Sequence, residues 1–156
     1  HRIHSVNPVH PVGYVILVSD GVHNFLDGLI IGASYLVSVP IGIATTVAVG
    51  LHEIPQEQGD FGILVHAGFS PRRALLMNFL SGVLALAGVT ISLLIGPSVE
   101  SYTVFMLPMT AGGFIYIAGS DLIPELHREH GALGSFAQFG TVVVAIGLMF
   151  LLLLVE

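Results

Sequence analysis

A chain of 156 residues that is 54% hydrophobic and only 9% charged, with a mean hydropathy of +0.91, lies far from a soluble domain, in which about a quarter of the residues carry charge. It has no cysteine, which excludes disulfides and thiolate metal sites, and with four basic residues no nucleic-acid partner is expected. The formal charge of −6 does not describe a solvated acidic face, because Asp20, Asp27, Glu53, Glu57 and Asp60 all interrupt apolar runs.

In chain order, residues 1–11 read as a cytoplasmic loop or tail carrying His1, His4 and His10 with Arg2 and two prolines. Histidine-bearing tracts can capture metal, but three scattered histidines also suit a solvated loop. No signal-peptide pattern is visible. Residues 12–156 read as an all-α transmembrane domain, a polytopic membrane helix bundle. Five apolar stretches, near 13–39, 41–69, 71–95, 102–126 and 134–155, each cover the roughly 20 residues that a helix needs to cross about 30 Å of hydrocarbon. The links between them are short, at Pro40, at Ser70-Pro71, from Gly96 to Ser101 and from His127 to Gly131, so sequential neighbours run antiparallel. Glycine pairs such as Gly28 and Gly32 are spaced for close helix contact.

All four basic residues are arginines: Arg2, Arg72, Arg73 and Arg128. They fall before the first stretch, between the second and third, and between the fourth and fifth, which is one side of a five-span bundle. By the positive-inside rule that side is cytoplasmic, so the first span runs outward and the second inward. The expected setting is a multi-pass protein of a plasma (inner) membrane, with the lipid bilayer as one partner and a homodimer as one candidate assembly.

Five acids within the first two spans are costly. Each charged acid near a helix centre costs roughly 2.5–3.5 kcal/mol even on insertion scales, and no lysine or arginine lies inside these two spans to offset it. Neutral acids in a buried hydrogen-bond network are one answer; a cation that is not part of the chain is the other, and a cluster of this kind is by default an ion path.

The first span carries Asp20-Gly21-Val22-His23-Asn24-Phe25-Leu26-Asp27-Gly28, and the second Leu51-His52-Glu53-Ile54-Pro55-Gln56-Glu57-Gln58-Gly59-Asp60. On a helix His23 and Asp27 stack at i/i+4, as do His52 and Gln56, with Glu53 and Glu57 on the adjacent stripe. Pro55 removes a backbone donor and predicts a kink near Leu51. Both clusters fall near mid-span, so they can meet at one depth. Imidazole nitrogen with carboxylate and amide oxygen suits zinc, and also ferrous iron, manganese or cadmium, and argues against copper(I).

These paired motifs resemble the signatures of the ZIP (Zrt/Irt-like) metal transporters, and the second is close to the HExPHExGD signature of the LIV-1 branch. The resemblance extends over the whole chain, including Asp121-Leu122-Ile123-Pro124-Glu125, and places the five spans as the family's helices four to eight; its helices one to three are not among these residues, and would be partners if present elsewhere. It implies a divalent metal, zinc or a relative, as the transported substrate moving toward the cytosol, with His23, Asn24, Asp27, His52, Glu53 and Gln56 as metal ligands. Gln56 departs from the signature, which has histidine there. The third span offers only Asn78 and Ser81 where some relatives supply an acid for a second metal.

Along the passage, the polar steps are Asp20, Glu57, Asp60, His66, Asp121 and Glu125. In the expected orientation Asp20 lies about 4.5 Å cytoplasmic of His23, and Asp60 about 6 Å cytoplasmic of Gln56. His66 suits an interfacial histidine as well as an exit ligand; His127 and His130 suit solvation, and Met106 and Met109 packing. No enzyme is expected. An intramembrane metalloprotease, suggested by His52-Glu53, needs a second histidine where Gln56 stands. A membrane metal sensor and a proton- or sodium-linked carrier also fit intramembrane carboxylates and compete with metal transport.

Overall fold

In the computed structural model, residues 9–117, 119 and 132–153 are described, and among them the chain is helical with no strand. The helices are α1 (Pro11–Val37), α2 (Val39–His66), α3 (Pro71–Gly82), α4 (Leu84–Ile95), α5 (Tyr102–Ile117) and α6 (Ala132–Leu153). His1, His4, Asp121, Glu125, His127 and His130 lie outside the described residues.

The starts of α1 and α2 are written locally. The His10 ring accepts from the Val12 N–H ahead of α1, with Pro11 as the first helical residue, where its missing donor costs nothing. The link expected at Pro40 falls instead at Ser38, whose extended backbone (φ −159°, ψ 157°) breaks the chain between α1 and α2. The Ser38 hydroxyl accepts from the Ile41 N–H at 3.3 Å, and Pro40 sits in the first turn of α2. α2 runs on through Pro55 for 28 residues, about 42 Å. It closes at Gly68 (φ +101°), with the Phe69 N–H returning to the Leu64 carbonyl. α3 and α4 form the single span expected, interrupted only at Val83, whose φ and ψ of −61° and −23° remain helical. α1 and the 71–98 unit are long and apolar enough to cross a membrane.

α1 is the centre of the bundle, touching α2, α3, α4 and α5, while α6 touches α2. Its crossing with α4 is a backbone-to-backbone contact. A Cβ at Gly28 would run into the Ala85 carbonyl, and one at Gly88 into the Phe25 carbonyl. Two apolar helices approach this closely only where both surfaces lack side chains. One turn further along, the Ser92 hydroxyl donates to the Leu29 carbonyl at 3.0 Å and accepts from Tyr102 at 2.9 Å, tying α5 to the pair. At the opposite end Leu64, Ala67, Phe69 and Ala74 form a small core that seats the α2–α3 turn against α1. Large apolar side chains elsewhere point outward, among them Val15, Val18, Leu94, Phe136 and Phe139, as in a bundle whose solvent is lipid.

Candidate metal centre

The tight α1–α4 contact and the α1–α2 pairing present one turn of α1 to one turn of α2. His23 and Asp27, stacked on α1, there meet His52 and Glu53 of α2. His52 Nε2 stands 3.1 Å from Asp27 Oδ2 and 3.3 Å from Glu53 Oε1; His23 Nε2 stands 3.4 Å from Glu53 Oε1 and 3.7 Å from Asp27 Oδ2. One ligand atom from each of the four residues lies within 4.8 Å of all the others. A zinc ion holding four nitrogen or oxygen atoms at 2.0–2.2 Å in a tetrahedron sets neighbouring donors about 3.3–3.6 Å apart, and the four measured edges bracket that spacing.

The donors do not spend themselves on one another. His23 Nε2, Asp27 Oδ2, His52 Nε2 and both Glu53 oxygens are buried without a hydrogen-bond partner. Buried polar atoms are nearly always paired, so unpaired donors on four residues whose ligand atoms lie within 4.8 Å of one another mark a place built for a cation. On its far side, His52 Nδ1 lies 3.2 Å from the Ala48 carbonyl, which can only accept, so Nδ1 is the nitrogen placed to carry a proton and Nε2 the one placed toward the cluster. The His52 ring is edge-on to His23 (5.7 Å between centroids) and to Phe114 of α5 (6.2 Å).

A cavity of about 790 Å³ opens beside the cluster, lined by His23, Asp27, His52 and Gln56 and continuing to Asp20 and Asp60. α5 contributes Met109, Gly113 and Tyr116 to its wall. Gln56 therefore faces the same space as His23, Asp27 and His52 without joining the cluster. Asn24 does not: its amide nitrogen donates to Asp20 Oδ1 at 2.8 Å and reaches Glu57 Oε1 at 3.5 Å. Glu57 lines a different cavity of about 430 Å³, between α2 and α3, together with Asn78 and Gly82. His66 ends α2 and is exposed.

Sequence reasoning named Asn78 and Ser81 only as the polar residues of the third span, without partners, and passed over Phe114. Ser81 donates to Asp20, Asn78 donates to the Glu57 carbonyl at 3.0 Å, and Phe114 packs on His52. The signal for the first two was present in the sequence as polar residues in an apolar span; for Phe114 there was none.

The sequence profile described as ZIP Zinc transporter matches residues 1–153. The chain is 40% identical over 146 residues to "Zinc transporter foi" of Drosophila melanogaster, covering 93% of this chain and 20% of that protein. It is 40% identical over 167 residues to "Zinc transporter zipt-7.1" of Caenorhabditis briggsae, covering 99% and 43%, and 36% identical over 155 residues to "Zinc transporter ZIP6" of Homo sapiens, covering 95% and 20%. The chain thus spans between a fifth and less than half of the length of these relatives. No solved structure matches it.

Proposed function

This chain belongs to the ZIP zinc transporter family, and from that premise we propose that it carries a divalent metal ion, zinc foremost, across a membrane through the His23–Asp27–His52–Glu53 cluster. The observation that carries the proposal is the set of buried donors on four residues of two helices that lack hydrogen-bond partners and whose ligand atoms lie within 4.8 Å of one another. Two imidazoles and two carboxylates form a donor set for zinc; iron, manganese and cadmium accept the same atoms.

Asp27 and Glu53 supply negative charge that offsets the ion's, in a segment with no internal basic residue. The imidazoles supply directional nitrogen donors, of which His52 is oriented by Ala48. Gln56, at the cavity wall, is a weaker oxygen donor beside the cluster, suited to an ion that must leave. Asp20 and Asp60 share that cavity, on the α1 N-terminal and α2 C-terminal sides of the cluster. With the arginines on the cytoplasmic side, these carboxylates form weak successive sites by which the ion exits toward the cytosol while regaining water.

Radioactive zinc uptake by the full-length protein in sealed vesicles tests the proposal. Accumulation that is lost on Asp27→Asn supports it. Zinc binding without accumulation would replace transport with metal sensing.

A further inference from the structure

One helical turn from the metal cluster, on the Asp20 side, five polar residues form a ring across three helices through side chains and two backbone carbonyls. Ser81 of α3 donates to Asp20 Oδ2 on α1. Asn24, one turn along α1, donates to Asp20 Oδ1 at 2.8 Å and reaches Glu57 Oε1 on α2 at 3.5 Å. Asn78 returns from α3 to the Glu57 backbone carbonyl at 3.0 Å, and Ser81 Oγ lies 2.7 Å from the Asn78 carbonyl. Asp20, Asn24, Asn78 and Ser81 are each at least 93% buried.

The ring sits where the centre needs support. Asn24 follows His23 directly, and Glu57 is one turn beyond Glu53 on α2, so the ring joins the two halves of the cluster at their shared end. Each oxygen of Asp20 accepts from one neutral donor, Asn24 on Oδ1 and Ser81 on Oδ2. Its carboxylate acts as a bracket: it orients the Asn24 amide, and the amide orients Glu57. The Asn24–Glu57 contact is the longest link and the one that ties the two ligand-bearing helices side chain to side chain.

We propose that this ring fixes the spacing of α1 and α2 at the metal centre, with Ser81, Asp20 and Asn24 as positioning residues and Glu57 acting through its acceptor oxygen rather than its charge. The proposal rests on the reading of the His23–Asp27–His52–Glu53 cluster as the zinc site. It gives α3, which supplies no ligand to that cluster, control over the affinity of a site built from α1 and α2. Hydrogen bonds inside such a ring act as a unit, so opening it at one link removes most of what a second opening would remove.

Equilibrium binding of radioactive zinc to the full-length protein in lipid nanodiscs, for variants with wild-type elution and helicity, decides the matter. Ser81→Ala and Glu57→Ala are each expected to raise the zinc Kd about fivefold, the scale of one lost buried hydrogen bond. Glu57→Gln, which keeps an oxygen for Asn24 and removes the charge, is expected to stay within about twofold of wild type. Ser81→Ala and Glu57→Ala combined are expected to weaken binding little further than either alone. The proposal is overturned if Glu57→Gln weakens binding as much as Glu57→Ala, because the charge would then be what matters. It is equally overturned if Ser81→Ala leaves Kd unchanged. Failure of the wild-type protein to bind zinc would instead sink the underlying assignment of the cluster.

Discussion

His52 Nε2 and Asp27 Oδ2 stand 3.1 Å apart across the α1–α2 interface, both buried and neither in a hydrogen bond. At that distance two such atoms normally share a proton in good geometry. Here ligand atoms of the two residues lie within 4.8 Å of one another and of ligand atoms of His23 and Glu53. A close, buried nitrogen–oxygen pair without a hydrogen bond is open to a shared cation.

Removing either member should therefore cost a ligand rather than a strut. His52→Ala and Asp27→Asn are each expected to weaken zinc binding by more than about 100-fold, beyond the 10–100-fold typical of residues that only orient a ligand. Calorimetry on the purified full-length protein reads this directly, and a loss below about tenfold would remove that residue from the ligand set.

Gln56 faces the cavity beside the four donors. Gln56→His places an imidazole, a stronger zinc donor than an amide, at its wall, and is expected to tighten zinc binding. Unchanged or weaker affinity in the same calorimetric titration would mean that the Gln56 side chain never reaches the ion.

Asp60 shares the cavity with the cluster but lies outside it. Asp60→Asn is expected to slow zinc flux into vesicles while leaving equilibrium affinity nearly unchanged. If the substitution abolishes equilibrium binding, Asp60 belongs to the primary site and the exit assignment is wrong.

Phe114 holds one edge of the His52 ring. An aromatic pair of this kind is worth about 0.5–1.5 kcal/mol, so Phe114→Ala should weaken zinc binding by roughly two- to tenfold, and Phe114→Tyr should preserve it. Equal affinities for all three proteins would show that Ala48 alone orients the imidazole.

The sequence disclosed a good part of this arrangement, and the residues show why it stopped where it did. His23 with Asp27 and His52 with Glu53 were legible because i/i+4 and adjacent spacing on a helix leaves few ways for four donors to face a neighbour. Gly28 announced a close helix contact, but glycine spacing does not name the partner, which is α4. Asn24 and Glu57 sit in the same motifs and were grouped with the ligands and the passage. A helix turns about 100° per residue, so Asn24 lies on a different side of α1 from His23, where its amide meets Asp20 and Glu57, a pairing that spacing alone does not name. The Pro40 link failed because proline tolerates the first helical turn; the true break, Ser38, is a capping residue two positions earlier.

Anomalous scattering at the zinc edge, from crystals of the full-length protein soaked in zinc, exposes the metal assignment to the most direct check. A peak is expected within the enclosure of His23, Asp27, His52 and Glu53, about 2.0–2.2 Å from His23 Nε2, Asp27 Oδ2, His52 Nε2 and a Glu53 oxygen. A zinc-soaked crystal with no peak between α1 and α2 would contradict it.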